Sequence, residues 1–599
     1  MPRSPSTRDQ RSSFWTGSPH LPGLPGFAGK LIPMAEVREL YERTCSSPDG
    51  FRLGTLLEQM QVDLQLPSAD LERIPAKGPL VAVANHPFGV LDGAALGALL
   101  SRVRPDVRVM TNALLSGIPE LHKHCFFVDP FHTESSAEKN LKALKQAIEW
   151  LRGGGALAVF PAGEVSQWNV GKAQIADPAW NTIAARLMRK TGASALPVYF
   201  CGRNSVTFQL LGLIHPRLRT LVLMQEFLQQ RGKALEVRVG TAIPSEMIAG
   251  LEDDREATEY LRLRTYLLSY RGKKEISIPT KVRSVIPRKA QETIISAVPQ
   301  SLLARDIEAL PPAQLLSESN EFAVYAARAN EMPHLLEEVG RLREVTFRDA
   351  GEGTGKSADL DQFDDYYWHL LLWNKEKREL AGAYRAGNTD EIIRSHGIKG
   401  LYTNTVFRYD ERLFMKIGSA LELGRSFVRP EYQRQYAPLL QLWKGIARFV
   451  ASRPQTPVLF GAVSISNEYS RLSREMIVSY FESRDDGREF ADLIQPRTPF
   501  RIPKLRRWDC RAMCEALNNL DELAEPISDV EEDGKGLPIL IRQYDKVGGK
   551  LVGFNLDRKF SDVVDGLVIV DLRQTDPTVL ERYMGKEGYA GFRRFHKMD

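Results

Sequence analysis

The chain has 599 residues, of which 43% are hydrophobic and 26% are charged, as in an ordinary soluble globular protein. At about 150 residues per domain, this length predicts two to four domains. The net charge of +5 is too small to indicate nucleic-acid binding, so no nucleic-acid partner is expected. Five scattered cysteines without zinc-site spacing predict reduced thiols in the cytoplasm and no metal site. No run approaches the roughly 18 apolar positions that a membrane-spanning helix needs.

In the first half of the chain, short apolar segments alternate with helical periods. Strands are predicted at 80–84, 107–110, 125–128, 156–160 and 195–200, and helices at 136–151, 180–191 and 253–270. This alternation predicts an α/β layer fold, in which ligands bind at the carboxyl ends of the strands. Residues 1–35, rich in Pro, Gly, Ser and Arg, are predicted to be a flexible tail, which places the first domain at 36–270.

The first predicted strand ends at a polar pair, Asn85 and His86, and Asp92 follows six positions after the histidine. A histidine at the end of a buried strand could take a proton from an incoming hydroxyl while a carboxylate holds its other ring nitrogen. His86 and Asp92 are therefore candidate catalytic residues. Taken alone, a loop histidine is more often structural, so the hypothesis depends on the motifs around it.

Three blocks together resemble the lysophospholipid acyltransferase family over about residues 75–244: Asn85-His86 with Asp92, Phe160-Pro-Ala-Gly-Glu164, and Ala195-Leu-Pro-Val198. The resemblance implies that His86 is the general base on an acceptor hydroxyl and that Asp92 is its partner. It also implies that Asn85, Gly163 and Glu164 contact the substrate. The acyl donor it implies is a thioester of acyl carrier protein or CoA, with no bound cofactor.

This chain departs from the family pattern in two places. Five residues instead of four separate His86 from Asp92, a longer loop that Gly89 could allow by adopting a positive φ. The family's Thr-Arg pair, whose arginine is associated with an acceptor phosphate, is replaced by Val165-Ser166 after the acidic Glu164. A carboxylate repels phosphate and attracts an amine, so we predict a hydroxylated acceptor with a cationic or zwitterionic head. The alternative is that Glu164 only caps the segment that follows it.

Residues 271–318 are predicted to be a linker. The stretch 271–289 carries seven basic residues against the single acid Glu275, and several prolines follow. Such a stretch could anchor the protein on anionic lipid or dock the acidic acyl carrier protein. A solvated linker with a basic bias is the alternative.

The second domain is placed at 319–599. A hairpin is predicted over 369–385, a strand at 420–428, a helix with Trp443 and Ile446 on its apolar face, a strand at 457–463 and an amphipathic stretch at 470–481. This order predicts a second α/β fold, followed by a strand-rich extension at 537–572. The extension resembles that of proteins labelled hemolysins, a name that implies no lytic chemistry here.

This half resembles the GNAT superfamily of N-acyltransferases, and within it the branch that takes long acyl chains from acyl carrier protein. The likeness is carried by Arg343, Asp361, Phe363, Asp364, Gly382, Arg385, Glu422 and Arg425. The superfamily's glycine-containing pyrophosphate loop is absent from Arg434 to Pro438. Fewer backbone N–H groups are then free to hold a diphosphate, which favours a carrier-protein thioester over free CoA.

Amide formation needs an uncharged amine and a thioester held in line. Glu422 is the candidate for deprotonating or orienting the amine, while Asp361 and Asp364 could hold a second positive charge on the acceptor. Arg343, Phe363, Arg385 and Arg425 complete the candidate substrate-binding set. The alternative for each carboxylate is a salt bridge to Arg385 or Arg425.

The order of the two halves resembles the bifunctional ornithine lipid synthases of bacteria. That likeness implies that the second half joins a 3-hydroxyacyl group to the α-amine of ornithine and that the first half esterifies the hydroxyl of the resulting lyso-ornithine lipid. It implies a peripheral position on the anionic inner face of the cytoplasmic membrane. A basic segment at 501–511 could receive acyl carrier protein. The alternatives are another amino acid such as glycine, a 1-acylglycerol-phosphate-type acyltransferase whose second half only binds carrier protein, and a non-catalytic membrane-associated binding protein.

Overall fold

The computed structural model describes residues 33–48, 50–129, 134–169, 174–214, 216–272, 291–502, 514, 517–558, 560 and 562–598. Contacts divide the chain into two compact units, residues 1–273 with 528–534, and residues 274–527 with 535–599. Residues 1–32 of the predicted tail at 1–35, residues 273–289 of the basic stretch at 271–289 and most of the basic segment at 501–511 lie outside the described residues. Residues 34 and 35 of the predicted tail instead begin a helix. Residues 291–318, assigned to the linker from sequence, instead form a helix and a strand of the second unit.

The first unit is built on a seven-stranded sheet of order β1-β9-β8-β2-β5-β3-β4, with β6 and β7 as a separate pair. The five neighbours from β8 to β4 run parallel, so their carboxyl ends meet at one edge. Only β9 is antiparallel to β8 among these pairings. The strands are β1 (Asp63–Gln65), β2 (Leu80–Ala84), β3 (Val107–Asn112), β4 (Cys125–Val128), β5 (Ala156–Val159), β6 (Gln167–Asn169), β7 (Gln174–Ala176), β8 (Ser194–Phe200) and β9 (Ala234–Val239).

Helices cover this sheet, which explains why strand β2 is apolar at every position and fully buried. The helix predicted from residue 180 begins only at Ile183, because Trp180 and Asn181 are held in a turn by Asp177 and by the carbonyl of Pro161. The helices of the unit are α1 (Met34–Cys45), α2 (Leu53–Gln59), α3 (Ser68–Glu72), α4 (Val90–Ser101), α5 (Glu134–Arg152), α6 (Ile183–Thr191), α7 (Val206–Ile214), α8 (Pro216–Gln229), α9 (Ser245–Gly250) and α10 (Asp254–Leu267).

A segment from far along the chain, residues 528–534, belongs to the first unit. Its Asp529 carboxylate is fully buried and accepts hydrogen bonds from Arg73 at 2.7 Å and Arg264 at 2.9 Å. These charge-assisted bonds satisfy a carboxylate that would otherwise be costly to bury. The prediction of one continuous domain over 319–599 is therefore wrong at this segment.

Arg271, counted in the basic linker from sequence, is buried in the first unit. Its guanidinium contacts the Asp70 carboxylate at 2.8 Å and the carbonyl of Asp529 at 2.6 Å. Burial lowers the pKa of Arg271, while the Asp70 charge acts against that shift. The side chain is thus a structural ion pair and is not available to a membrane or a carrier protein.

The second unit is built on an eight-stranded sheet of order β10-β11-β12-β13-β15-β16-β19-β18, with β14 and β17 as a separate pair. The region predicted as an extension is instead part of this sheet, because β19 pairs with β16 and β18 pairs with β19. The strands are β10 (Leu315–Glu318), β11 (Phe322–Arg328), β12 (Trp368–Asn374), β13 (Glu379–Asn388), β14 (Phe407–Tyr409), β15 (Ala420–Val428), β16 (Val458–Ile465), β17 (Ile494–Pro496), β18 (Lys550–Asp557) and β19 (Val563–Asp571).

No helix within the described ranges is long and apolar enough to cross a bilayer. Helix α15 packs its predicted apolar face, including Trp443 and Ile446, into the core. The helices of this part of the chain are α11 (Gln300–Ala309), α12 (Pro333–Asp349), α13 (Thr389–His396), α14 (Arg412–Ile417), α15 (Tyr436–Ala451), α16 (Arg471–Ser483), α17 (Leu520–Val530), α18 (Ile539–Lys546), α19 (Pro577–Met584) and α20 (Lys586–His596).

Strands β15 and β16 run parallel and separate part-way along their length. Their pairing begins at Ala420 with Val458 and ends at Leu423 with Gly461, although β15 continues to Val428 and β16 to Ile465. A Cβ on Gly461 would lie 2.1 Å from the carbonyl oxygen of Leu423, so only glycine allows the last paired residues to approach. The two strands therefore open into a V whose walls are backbone.

Candidate active sites

The parallel sheet brings His86 and Asp92 into contact in the first unit. His86 follows the buried strand β2 and is partly exposed, whereas Asp92 lies in the first turn of α4 and is fully buried. The His86 Nδ1 atom lies 3.0 Å from Asp92 Oδ2. With Nδ1 held by a carboxylate, Nε2 is the ring nitrogen left to take a proton from a substrate hydroxyl.

Gly89 makes the longer loop possible, as predicted, because its φ is 75°. The loop turns back so that the N–H groups of Phe88 and Gly89 donate to Asp92 Oδ2 at 2.8 and 3.0 Å. Burial raises the pKa of Asp92, while the bonds from His86 and from these N–H groups act to lower it. The dyad is thus held in one geometry by its own loop.

The Phe160-Pro-Ala-Gly-Glu164 motif packs against the pair formed by His86 and Asp92. Strand β5 neighbours β2, and the Phe160 ring that follows it stacks on the His86 imidazole with centroids 4.3 Å apart. The Ser166 N–H donates to the carbonyl of His86 at 2.8 Å, which joins the two loops. Gly163 and Glu164 lie exposed at the turn between these contacts. The motif thus positions the histidine and presents an acidic turn beside it.

Asn85 does not have the substrate-binding role predicted for it. Its side-chain amide donates to the carbonyl of Phe200 at 3.0 Å and accepts the Phe200 N–H at 2.7 Å. Both polar atoms are therefore used to continue the pairing of β2 with β8, and the side chain is buried. Asn85 fixes the backbone immediately before His86.

Asp177 is a positioning residue that sequence reasoning missed. Its buried carboxylate accepts the backbone N–H of His86 at 3.1 Å, the Ser166 hydroxyl at 2.5 Å and the Trp180 ring N–H at 3.0 Å. One side chain thus holds the histidine and the adjoining loop together. The only signal in the sequence was an acid three residues before a tryptophan, just ahead of a predicted helix, which is too common to select it.

Replacing Asp177 by alanine is expected to lower first-unit activity about 10- to 100-fold, because it frees the His86 backbone and leaves buried donors unpaired. Steady-state ester formation by the purified full chain measures the effect. Asp254→Ala is the matched control, since Asp254 is partly exposed and its carboxylate forms ion pairs with Arg186 and Arg189, its only such partners in the described part of the chain. Equal losses in both variants would contradict the positioning role.

In the second unit, the predicted arginines and aspartates pair with each other. Arg343 contacts Asp364 at 2.7 Å, and Arg385 contacts Asp364 at 3.1 Å and Asp361 at 2.6 Å. Although burial acts to raise it, the two guanidinium groups hold the pKa of Asp364 well below its ordinary value. The salt-bridge alternative is therefore the correct one for Asp361 and Asp364, and Asp364 is too deeply buried to bind a cation on the acceptor.

The Glu422 carboxylate is likewise buried and hydrogen-bonded inside the protein. One carboxylate oxygen accepts the Tyr367 hydroxyl and the Tyr402 N–H, and the other accepts the Thr403 N–H at 2.6 Å. The residue is 1% exposed, and burial raises its pKa while the bonds from Thr403 and Tyr367 act to lower it. Glu422 therefore anchors the 402–403 turn to strand β15, and neither Arg385 nor Arg425 is its hydrogen-bond partner.

Phe363 was predicted to bind substrate, but its ring belongs to the core. It is buried against the edges of Tyr367 and Tyr402 and lies 5.5 Å from the Arg385 guanidinium. The Nε and Nη2 atoms of Arg343 and Arg385 have no hydrogen-bond partner within the described ranges. Aromatic faces around Arg385 offset part of that cost.

Arg425 lies at the point where β15 leaves β16. Two residues of β15, Arg425 and Ser426, stand opposite one residue of β13, and Arg425 has a φ of 47°. This is a β-bulge, which turns the backbone and side chain at the mouth of the V. The guanidinium stacks over Phe560 at 4.5 Å and lies 3.6 Å from Asp359. Of the predicted set, Arg425 is the residue nearest to the opened strands.

Protein-family comparisons agree with this geometry. The model described as "Acyltransferase" matches residues 60–273, and the model described as "Acetyltransferase (GNAT) domain" matches residues 342–444. The chain carries an acyltransferase domain followed by a GNAT domain, in a mixed α/β fold, and it is an acyltransferase.

The chain is also similar to individual acyltransferases. The chain is 29% identical over 301 residues to a glycine N(alpha)-acyltransferase of Phocaeicola vulgatus, a match that covers 47% of this chain and 90% of that protein. It is 29% identical over 190 residues to a lyso-glycine lipid O-acyltransferase of the same organism, covering 31% of this chain and 66% of that protein.

The crystal structure of the 1-acyl-sn-glycerophosphate acyltransferase PlsC from Thermotoga maritima is also similar, at 16% identity over 39% of this chain and 85% of that chain. Its TM-score of 0.23 is too low to support an argument.

Proposed function

We propose that this chain is a bifunctional aminolipid synthase. The second unit joins a 3-hydroxyacyl group to the α-amine of an amino acid, and the first unit esterifies the 3-hydroxyl of the product with a second acyl chain. The observation that carries the proposal is that one chain matches both a glycine N(alpha)-acyltransferase and a lyso-glycine lipid O-acyltransferase, and holds a His–Asp pair in one unit and a splayed strand pair in the other.

Two head groups are candidates. The names of the relatives support glycine, one of the alternatives that the sequence allows. Ornithine is the second candidate, because the carboxylates of Glu352 and Asp565 lie near the V and a diamino acid carries an additional cation. The pairing of Asp361 and Asp364 with arginines removes the earlier argument for ornithine at those two residues.

For O-acylation, His86 Nε2 takes the proton of the 3-hydroxyl as its oxygen attacks the thioester carbonyl. Asp92 holds Nδ1 and stabilises the imidazolium that forms, and the stacked Phe160 ring keeps the imidazole in place. The imidazolium then returns the proton to the leaving sulfur. The acidic turn at Glu164 favours a substrate without phosphate.

For N-acylation, the thioester lies in the V between β15 and β16. Past Leu423, the backbone of β15 has no partner on β16, so the bulge at Arg425 and Ser426 faces an open edge. Backbone N–H groups at such an edge can stabilise the oxyanion that forms on the thioester carbonyl. The bulge is thus the proposed oxyanion site.

Acyl carrier protein is the proposed donor for the second unit. Helix α15 follows the V directly, and its third residue is Pro438, which has no N–H. The N–H of Gln435, just before the helix, already donates to the carbonyl of Tyr432. Few donors then remain for the diphosphate of free CoA, whereas a carrier-protein thioester needs none there.

Peripheral contact with the membrane is also proposed, since both products are lipids. Val206 and Leu210 on α7 are 70% and 56% exposed, and Trp168 on β6 is 39% exposed. Strand β6 contacts α7 through a bond from the Trp168 N–H to Gln209 at 3.0 Å. An exposed tryptophan beside aliphatic side chains is typical of an interfacial contact with lipid.

The proposal is tested by lipid mass spectrometry of a bacterial host without aminolipids that expresses the full chain. Growth with ¹⁵N-glycine or with ¹⁵N-ornithine identifies the head group. Diacylated lipid labelled from one of these amino acids is expected. No aminolipid together with altered phospholipid acyl chains would instead support the phospholipid acyltransferase alternative.

A further inference from the structure

The base for the amine is not Glu422, although a base is needed. Both Glu422 oxygens already accept hydrogen bonds, and the side chain is 1% exposed. An amino acid at neutral pH carries an ammonium group, which cannot attack a thioester until it loses a proton. Another residue must therefore accept that proton.

Strand register identifies one. Residues paired across a sheet share a face, and side chains two or four apart on one strand share it as well. Glu422 on β15 is paired with Phe460 on β16, and four residues on, Ser464 is paired with Asp565 on β19. Asp565 thus lies on the same face as Glu422. Ser464 follows Gly461, where β15 and β16 have already separated, so this pair borders the opening.

The surroundings of Asp565 suit proton exchange. The Ser464 hydroxyl donates to its carboxylate at 2.9 Å, and Asn555 is paired with it on β18. Burial raises the pKa of Asp565 to about 7, the charges of Asp557 and Glu352 add to the shift, and the Ser464 bond and the charge of Arg425 oppose it. Such a carboxylate changes protonation near neutral pH, where a general base is most effective.

The same region contains a second carboxylate whose pKa is raised. It also contains buried polar atoms that have no hydrogen-bond partner among the described residues. Burial and the charge of Glu468 raise the pKa of Glu352 to about 7, and Arg425 opposes this. The Nε of Arg425, whose charge acts on both Glu352 and Asp565, and the Oδ2 of the 3% exposed Asp359 have no hydrogen-bond partner among the residues that the structure describes. Unsatisfied buried groups beside an open strand pair indicate a place for a polar ligand.

We propose that Asp565 is the catalytic residue that accepts the proton of the acceptor's ammonium group, and that Ser464 is its positioning residue. The inference rests on the proposed N-acylation. The substrate class is the α-ammonium group of a free amino acid, whichever head group is used.

The Asp565 carboxylate takes one proton from the ammonium, and the free amine attacks the thioester carbonyl, so that an N–C bond forms. The tetrahedral intermediate collapses with cleavage of the C–S bond, and the leaving sulfur takes the second proton released from nitrogen. Asp565 then gives its proton to solvent, and the products are an amide, a thiol and a proton.

The experiment is steady-state N-acylation by the full chain, with a synthetic 3-hydroxyacyl-carrier-protein thioester and with glycine or ornithine, between pH 5.5 and 9. Asp565→Asn is expected to lower kcat about 10²- to 10³-fold. It is also expected to remove the rise in kcat with pH near pH 7, which is the rising limb of the pH–rate profile. Ser464→Ala is expected to retain activity and move that limb to higher pH, because it removes a bond that favours the charged carboxylate.

Asp571→Asn is the matched control, since Asp571 is on the same strand and, among the described residues, its side chain binds only the nearby 573–574 turn. O-acylation of supplied monoacyl amide by the same preparations serves as an internal measure of folding. The inference would be overturned if Asp565→Asn had the kcat and the pH dependence of the wild type. It would also be overturned if the rise in kcat with pH stayed at the same pH in Ser464→Ala.

A loss in Asp565→Asn confined to the KM for ornithine would also overturn it, since Asp565 would then bind only the second ammonium. Absence of N-acylation by the wild-type chain with both amino acids would overturn the proposed function, and this inference with it.

Discussion

Replacing His86 by alanine is expected to stop ester formation while amide formation continues, so the monoacyl amide accumulates. The imidazole supplies general-base catalysis that accounts for about 10²- to 10⁴-fold in rate. The loss in the rate of ester formation in Asp92→Asn should fall in the same range. An amide in the Asp92 position can donate to Nδ1 and so favour the wrong tautomer of His86. The measurement is the ratio of monoacyl to diacyl lipid in extracts of cells that express each variant.

His122→Ala is the matched control for this result. His122 lies in the same unit, is exposed and bonds only to the carbonyl of Ser116 within the described contacts. It should give the lipid ratio of the wild type. A normal diacyl lipid level in His86→Ala would remove the histidine from the mechanism, and a loss of both products would point to unfolding instead of lost base catalysis.

Among the substitutions proposed, Asp364→Asn is expected to cause the largest loss in the free energy of unfolding. The Asp364 carboxylate lies 2.7 Å from Arg343 and 3.1 Å from Arg385, and both arginines are at most 1% exposed. Breaking a buried ion pair by removing one partner costs about 3–5 kcal/mol, because the remaining charges are left uncompensated. Urea unfolding of the full chain, followed by fluorescence, should show the transition of the second unit at clearly lower denaturant.

Asp365→Asn is the matched control, because the neighbouring Asp365 is exposed, and a change within about 0.5 kcal/mol is expected. The effect of Asp364→Asn also depends on pH. The pKa of Asp364 is lower in the folded state, so the unfolded state binds more protons below the ordinary pKa of an aspartate. The stability that Asp364 contributes is therefore complete above that value and is lost as the pH falls. A difference between wild type and Asp364→Asn that grows on acidification would contradict this assignment.

Some structural features could be predicted because they depend on local sequence. The run 80–84 is apolar at every position and is followed by Asn85 and His86, and it forms a buried strand that ends at those residues. Gly89 has the positive φ that the longer loop required. The strand at 420–428 and the hairpin after residue 368 were also predicted correctly, since short apolar runs, and in the hairpin a polar turn at 374–378, define them locally.

Features that depend on distant partners were predicted wrongly or missed. Glu422 was assigned to the amine, but its partners are a tyrosine hydroxyl and two backbone N–H groups more than fifteen residues away. Asp177 meets His86 from 91 residues along the chain. The region 537–572 was predicted to be an extension, although its strands β19 and β18 continue the main sheet beyond β16. No periodicity or spacing in the sequence reports such pairings.

The two α/β halves could be predicted because strand and helix patterns depend on neighbouring residues, and their acyltransferase character followed from the resemblance of short motifs to known families. Which acids are free for chemistry could be seen only from the tertiary contacts. Whether a carboxylate meets a guanidinium, a backbone N–H or an open strand edge depends on sheet order and register. Those in turn are fixed by packing between residues far apart in the chain.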